Sequence, residues 1–343
     1  MNILHQLAKQ TSLRGDQPAL IDRHRGTRRC LTYTELMEAT DAGAAMLTRH
    51  GLAPGDTVLF FHPVKIELYI ALLSVLRAGM TAMFIDPSAG RSLIKHCCAL
   101  HEPHAFFGSP KAHLLRLLVP AVRRIHKHYV TGSWVPGAHR WDLNESTQSP
   151  GFITDPEAEF PALITFTSGS TGQPKAVART HAFLLAQHRA LEHSLALKPG
   201  QVDLITLPVF VLANLASGLT SILADTDLAK PGQADIPSVK RQITGEKVER
   251  VAASPAFLER MLTDPTSLSS IRHFYTGGAP VFPPLLDALQ ALSTEASVNA
   301  VFGSTEAEPI ADLPYTSILT EDREAMRAGK GLLTGQPVGE RPM

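Results

Sequence analysis

Nine consecutive residues, Thr167-Ser168-Gly169-Ser170-Thr171-Gly172-Gln173-Pro174-Lys175, combine hydroxyls, glycines and a closing cation. Residues this small let backbone N–H groups approach an anion, and Ser168, Ser170 and Thr171 add side-chain donors. Lys175 brings a compact point charge suited to phosphate. Polyphosphate capture is the chemistry such a string serves. It is not the Walker pattern, whose Gly-x-x-x-x-Gly-Lys spacing is absent. Nor does Gly169-Ser170-Thr171-Gly172 reproduce the Gly-x-Ser-x-Gly of a nucleophile elbow. A Ser/Gly string is also what a flexible surface turn looks like, so the elements around it matter.

Those elements read as strands that each deliver a loop of small residues. An apolar run over 162–166 leads into the string. A strand over 274–276 meets Gly277-Gly278-Ala279-Pro280, and a helix is expected over 284–292. A strand over 298–302 runs into Gly303-Ser304-Thr305-Glu306. In an open parallel sheet, ligands bind outside the carboxyl ends of the strands. Upstream, helices are expected over 33–47, with Thr32 and Glu35 spaced as a capping box, and over 65–76. Strands are expected over 57–61, 81–85 and 248–253, the last followed by Ser254 as N-cap and Pro255 at the first helical position. Strands alternating with helices of ten or more residues point to parallel sheets with crossover helices.

The string Thr-Ser-Gly-Ser-Thr-Gly-x-Pro-Lys resembles the phosphate loop of the adenylate-forming superfamily, which includes acyl-CoA synthetases, luciferases and non-ribosomal adenylation domains. Leu31-Thr32-Tyr33-Thr34-Glu35-Leu36 and the stretch from Leu76-Arg77-Ala78-Gly79 to Phe84-Ile85-Asp86-Pro87 resemble two upstream motifs of that family. Gly277-Gly278-Ala279-Pro280 is similar to its adenine-side loop, and Phe302-Gly303-Ser304-Thr305-Glu306 to its aromatic-Gly-x-Thr-Glu motif. Order and spacing agree along essentially the whole chain. The resemblance implies an α/β fold of two doubly wound, mostly parallel subdomains, here divided at 1–160 and 161–343 with the phosphate loop in the second. It implies an AMP-forming ligase that joins ATP and a carboxylic acid into an acyl-adenylate and pyrophosphate.

Residue roles follow from the same resemblance. Thr167, Ser168, Gly169, Ser170, Thr171, Gly172 and Lys175 would hold the β- and γ-phosphates. Gly277, Gly278, Ala279 and Pro280 would line the adenine, with Phe302 against its face beside Gly303 and Ser304. Thr305 would contact the α-phosphate and Glu306 would ligate Mg2+, so Lys175, Thr305 and Glu306 form the expected catalytic set. A carboxylate is already a nucleophile, so the reaction needs charge neutralisation and in-line positioning rather than a Ser-His-Asp arrangement. An acid such as Glu306 suits Mg2+, which is held by few protein oxygens plus substrate phosphates.

Leu207-Pro208-Val209-Phe210-Val211-Leu212-Ala213-Asn214 would flank the acid, with Phe210, Val211, Asn214 and Gly218 as pocket residues. Acyl-CoA ligases often carry Leu-Pro-x-Phe-His here, and Val211 occupies the His position. Together with Ser254-Pro255-Ala256 and the tail over 331–338, this stretch is similar to olefin-pathway β-lactone synthetases. An aliphatic acid is therefore expected, with CoA or an acyl carrier protein as possible acceptors. Family members continue past the Thr-Glu motif with a ribose-binding Asp, a hinge and a mobile C-terminal domain bearing a Lys. The chain stops at Met343, so the resemblance implies the large domain, with the mobile domain absent. The alternative class is a nucleotide- or acyl-binding module with little turnover.

Composition is compatible with both classes and excludes others. The 343 residues correspond to about two domains. Thirty-two Lys+Arg balance thirty-two Asp+Glu, so no overall field favours nucleic acid. Apolar content of 44% with 19% charged residues is that of a globular chain. Three cysteines, Cys30, Cys97 and Cys98, cannot make a disulfide framework, and with no signal-peptide pattern at the N-terminus a cytoplasmic protein is expected. The uncharged stretch 204–224 contains Pro208, Asn214 and Gly218 and reads as a buried strand, a loop and a buried helix rather than a membrane span.

Other candidates have plainer readings. His101-Glu102-Pro103-His104 has its histidines at i and i+3, but Pro103 spoils a helical zinc face and a solvated turn is expected. His181, His188 and His193 share one expected helix in surface or capping roles. The basic run Arg23-His24-Arg25-Gly26-Thr27-Arg28-Arg29 reads as an exposed hairpin turn. The aperiodic stretch 131–161 is the expected boundary between halves.

Overall fold

The first helix, α1 (Leu4–Arg14), is followed by an antiparallel hairpin of β1 (Pro18–His24) and β2 (Thr27–Thr32). Arg25 and Gly26 form its turn with φ of 51° and 81°, the positive values a two-residue hairpin needs to match strand twist. The basic run is thus an exposed hairpin turn, as expected. These elements belong to a computed structural model that describes residues 1–86, 89–143, 153–168, 174–264, 268, 270–304 and 307–339.

After α2 (Tyr33–Arg49), whose first turn holds Glu35, the chain builds a seven-stranded sheet. Its strands are β3 (Thr57–Phe61), β4 (Thr81–Phe84), β5 (Ala105–Gly108), β6 (Lys127–Val130), β7 (His139–Arg140), β8 (Pro161–Ser168) and β9 (Pro174–Thr180). The spatial order is β7-β6-β5-β3-β4-β8-β9, and neighbours run parallel except for the β8–β9 hairpin. Crossovers are made by α3 (Ile66–Arg77), α4 (Arg91–Leu100), and the short α5 (Leu115–Leu118) and α6 (Pro120–Arg123). Strands β3 and β5 are buried along their whole length, which is why they read as unbroken apolar runs rather than alternating ones.

Following α7 (His181–Ser194), a nine-stranded sheet forms from β10 (Val202–Ile205), β11 (Thr220–Leu223), β12 (Arg250–Ala253), β13 (His273–Gly277), β14 (Ser297–Ser304), β15 (Ala307–Pro314) and β16 (Gln336–Pro337), completed by β1 and β2. The order is β16-β15-β14-β13-β12-β10-β11-β1-β2, with a parallel centre and antiparallel pairs at both edges. Helices α8 (Phe210–Ser217), α9 (Ile236–Gly245), α10 (Pro255–Leu262), α11 (Pro283–Leu292) and α12 (Thr320–Arg327) complete this part. Its core centres on Val239, Val251, Phe257 and Phe274, all fully buried. Pro255 opens α10 after an extended Ser254, although the Ser254 side chain makes no cap bond. Two mostly parallel α/β sheets are the expected fold class.

The expected cut after residue 160 falls elsewhere. One unit comprises 1–15 and 33–185, the other 16–32 and 186–343. The β8–β9 hairpin carrying the phosphate string belongs to the first unit because β8 pairs with β4. The early β1–β2 hairpin belongs to the second because β1 pairs with β11, and Thr220 donates its hydroxyl to the Pro18 carbonyl at 2.7 Å. The stretch 131–161, expected as the boundary, lies inside the first unit. The stretch 204–224 is a strand, a helix and a further strand, β11. Among the described residues, no helix is long and apolar enough to cross a membrane.

Two histidine readings also change. His181 and His188 are buried on α7 rather than placed at the surface, and burial lowers both pKa values, that of His181 to about 4. His101 and His104 do more than occupy a solvated turn. The Thr57 amide donates to His104 Nδ1 at 3.0 Å, and the Thr57 hydroxyl is hydrogen-bonded to His101 Nε2 at 2.8 Å, so the pair secures the start of β3.

Candidate nucleotide and acyl site

Strands β13 and β14 end side by side, which brings two of the small-residue loops together. Gly277 pairs with Val301, and a Cβ on this glycine would sit 2.3 Å from the Val301 carbonyl oxygen. Any other residue would push the strands apart. Gly278 then turns the chain with φ +75°, and a Cβ there would meet nothing within 4 Å, leaving the space beside its backbone open. On β14, the ladder shifts register between Phe302 and Ser304. Phe302 stays 49% exposed although Val301 before it is buried.

A cavity of about 300 Å3 opens at this junction, lined by Gly278, Ala279, Pro280, Phe302 and Gly303, with Leu332, Leu333 and Thr334 as a further wall. Its size falls at the small end of ligand pockets, roughly 300–1,000 Å3. An open glycine backbone, an available aromatic face and apolar walls are what a flat heteroaromatic ring requires. The adenine ring of a nucleotide fits those features. The leucines had no assigned pocket role from sequence, and their Gly-flanked Leu-Leu pair was the available signal.

A second, water-sized cavity of about 10 Å3 lies under the same loop, where Leu207 and Phe210 meet Tyr275, Thr276, Gly277 and Gly278, with Val301 and Glu308 completing it. Phe210 thus reaches the loop as an apolar wall. Of the other expected pocket residues, Val211 is fully buried, and Gly218 is the left-handed C-cap of α8 with φ 78°. Asn214 is also buried and donates its amide to Asp203 Oδ2 and Ser221 Oγ, both at 3.2 Å. None of these three lines either cavity. Helical spacing turns them into the α8 packing face, which the linear sequence could not distinguish from a pocket wall.

A buried polar cluster supports Tyr275 from behind. Arg250 and Asp203 are both buried, with Nε and Oδ2 3.7 Å apart. Arg250 Nη2 and the Tyr275 hydroxyl each donate to the Leu195 carbonyl at 2.7 Å, and the guanidinium lies 4.8 Å from the Tyr275 ring centroid. Burial raises the Asp203 carboxyl pKa against the pull of Arg250. It also raises that of the Tyr275 phenol, so the tyrosine remains a neutral donor at neutral pH. Sequence reading missed this cluster because its members are scattered between 195 and 275.

The described ends of the Ser/Gly string, 167–168 and 174–175, lie on β8 and β9 of the first unit. Thr167 pairs directly with Lys175, and Ser168 with Pro174. Lys175 is exposed and Thr167 half-buried. Gly169, Ser170, Thr171 and Gly172 lie outside the described residues, as do Thr305 and Glu306. Ser304 and Ala307 flank the latter pair, the Ala307 amide donating to Ser304 Oγ at 3.3 Å. Among the described residues there is no cluster of three or more metal-ligating side chains.

Comparison with known proteins bears on the family and the fold. An olefin beta-lactone synthetase of Xanthomonas campestris pv. campestris is 31% identical over 319 residues, covering 90% of this chain and 56% of the relative. One from Stenotrophomonas maltophilia is 31% identical over 314 residues with the same coverage. The chain therefore spans a little over half the length of these curated relatives. Among solved structures, apo MbtA of Mycobacterium smegmatis superposes with TM-score 0.82 at 22% identity, covering 99% of this chain and 62% of that one. A putative long-chain-fatty-acid CoA ligase from Rhodopseudomonas palustris gives 0.79 at 21% identity, with coverage of 98% and 81%. At these identities the superpositions speak to the fold. The profile of the family described as AMP-binding enzyme matches residues 7–338, and the chain belongs to that family.

Proposed function

We propose that this chain provides the nucleotide and acid sites of an AMP-forming ligase that acts on an aliphatic carboxylic acid. The carrying observation is the cavity at the ends of β13 and β14, where Phe302 and an open glycine backbone suit adenine. In the proposed reaction an acid carboxylate oxygen bonds to the α-phosphorus of ATP, the α–β bridging P–O bond breaks, and pyrophosphate leaves. Lys175 would neutralise the departing phosphates, and Thr305 would orient the α-phosphate. Glu306 is the proposed Mg2+ ligand, and the ion would supply further charge neutralisation.

Leu207 and Phe210, which share their small cavity with Glu308, offer the acid an apolar wall, and that wall favours a fatty acyl group over an amino acid. Likeness to proteins described as olefin beta-lactone synthetases supports a β-hydroxy acid as the substrate class, its hydroxyl acting as internal acceptor. CoA or a carrier protein are the alternative acceptors. A reducing, ATP-rich cytoplasm suits the free Cys97 and Cys98.

Thermal unfolding tests nucleotide binding. Saturating ATP with Mg2+ stabilises a binder by mass action, about 2.7 kcal/mol at a hundred times Kd. An upward shift that shrinks in Lys175→Ala supports the reading, and an unchanged midpoint overturns it. Pyrophosphate release with aliphatic acids of increasing length then separates turnover from a binding module. Activity rising with chain length supports an acyl ligase.

A further inference from the structure

The balanced overall charge conceals a segregated stretch. From Pro103 to Trp141 the chain carries Lys111, Arg116, Arg123, Arg124, Lys127 and Arg140, and no Asp or Glu. Lys111, Arg123, Arg124 and Arg140 are exposed, and none of the six pairs with a carboxylate among the described residues. The same stretch holds exposed apolar side chains: Leu117 is 77% exposed, Trp134 70%, Leu114 54% and Leu118 46%. The core beneath is already filled by Val119, Val122 and Ile125, all buried, so these four are surplus to it.

Topology places the leucines and Trp134 with Lys111, Arg116 and Arg140, whereas Arg123, Arg124 and Lys127 lead into the amino end of β6 at the other end of the sheet. Strands β5 and β6 are parallel neighbours, so the segments leaving their carboxyl ends emerge at the same end of the sheet. One leads through Leu114 into α5, where i, i+3 and i, i+4 spacing groups Leu114 with Leu117 and Leu118. The other carries Trp134. Arg116 on α5 ties the two by donating to the Pro136 carbonyl at 2.9 Å and the Gly137 carbonyl at 3.4 Å.

We propose that this end of the seven-stranded sheet is a docking surface for an anionic lipid bilayer. Leucines and a tryptophan among cations match what an interfacial membrane contact requires, with apolar groups entering the headgroup region and Lys/Arg meeting anionic lipid. The cations alone would suit nucleic acid and the leucines alone a second protein copy. Their combination selects the bilayer. The inference does not depend on the ligase reading, since the surface lies on β5, β6 and their crossovers.

Co-sedimentation tests it with vesicles of phosphatidylcholine alone and of equal parts phosphatidylcholine and phosphatidylserine. Binding is expected to the anionic vesicles at low salt and to weaken as salt rises. Each cation near such a surface contributes about fivefold to partitioning, so Lys111→Gln with Arg140→Gln should lower it about 25-fold. Trp134→Ser with Leu117→Ser should abolish it while leaving the melting temperature unchanged. The chain has two tryptophans, and Trp141 is buried. A blue shift in emission on adding anionic vesicles should therefore vanish in Trp134→Phe. Absence of binding to anionic vesicles at low salt overturns the proposal, as does binding that survives both double variants. A vesicle-free shift in sedimentation coefficient between wild type and Trp134→Ser/Leu117→Ser would instead assign the surface to a second copy, and so also overturns it.

Discussion

Gly277 and Val301 face each other across β13 and β14 so closely that a Cβ on the glycine would stand 2.3 Å from the valine carbonyl oxygen. The cavity opens immediately beyond this contact, so the spacing of the two strands sets the spacing of its walls. Gly277→Ala should force the strands apart and cost on the order of 1–3 kcal/mol, as overpacking does. Urea unfolding and ATP titration should both report it. Gly278→Ala meets no neighbour and should cost only the strain of a positive φ, about 1–3 kcal/mol in folding. Equal losses of nucleotide affinity in the two variants would argue against strand spacing as the cause.

Phe302 presents a half-exposed ring to the cavity. Base–aromatic stacking contributes about 1–3 kcal/mol by alanine substitution. Phe302→Ala should therefore weaken ATP binding by roughly fivefold to a hundredfold while changing stability by less than about 0.5 kcal/mol. Phe302→Trp should retain affinity. Calorimetric titration distinguishes the outcomes.

Lys175 stands exposed opposite Thr167 at the end of the β8–β9 hairpin. Removing a preorganised charge stabiliser typically costs on the order of 100- to 1000-fold in rate. Lys175→Ala should show a loss of that order in pyrophosphate release with its unfolding midpoint preserved in the absence of nucleotide. A variant that turns over at wild-type rate would remove Lys175 from the catalytic set.

Two buried histidines make stability depend on pH. Burial lowers the pKa of both His128 and His181 to about 4, from an ordinary value near 6.5. The unfolded chain therefore takes up protons that the folded chain refuses between these values. Their contribution is fully present above pH about 6.5 and is lost as pH falls toward about 4, with a slope set by proton linkage. A shift of this size corresponds to on the order of 3 kcal/mol per histidine. Denaturant unfolding from pH 7 to pH 5 should show the decline, and His181→Gln should flatten it. An unchanged slope in the variant would remove His181 from the account.

Arg250 and Asp203 are buried together behind Tyr275. Removing one partner strands the other charge, which typically costs 3–5 kcal/mol, in round figures about 4. Arg250→Met should lose about that much, and adding Asp203→Asn should recover part of it. A double variant no more stable than the single would show that the hydrogen bonds to the Leu195 carbonyl outweigh the ion pair.

Local chemistry made much of this protein legible from its residues. Unbroken apolar runs such as Thr57–Phe61 announced strands covered on both faces, and Pro255 after Ser254 marked the start of a helix, because each signal is carried by neighbouring residues. Gly277-Gly278-Ala279-Pro280 could be singled out as a small-residue loop at a strand end, whereas Phe302 is singled out through the family resemblance. Position in the tertiary structure could not be read that way. Pairing of β1 with β11 joins residues about 200 apart, and sequence order does not say which sheet edge a hairpin will complete. The same holds for Leu332 and Leu333, which become cavity wall because β15 and β16 bring the tail alongside β14. Asn214 and Val211 lie on the same short helix as Phe210, yet of the three only Phe210 lines the small cavity under the Gly277-Gly278 loop. Which face of α8 meets solvent, core or ligand is decided by the elements packed against it, and those are distant in the chain.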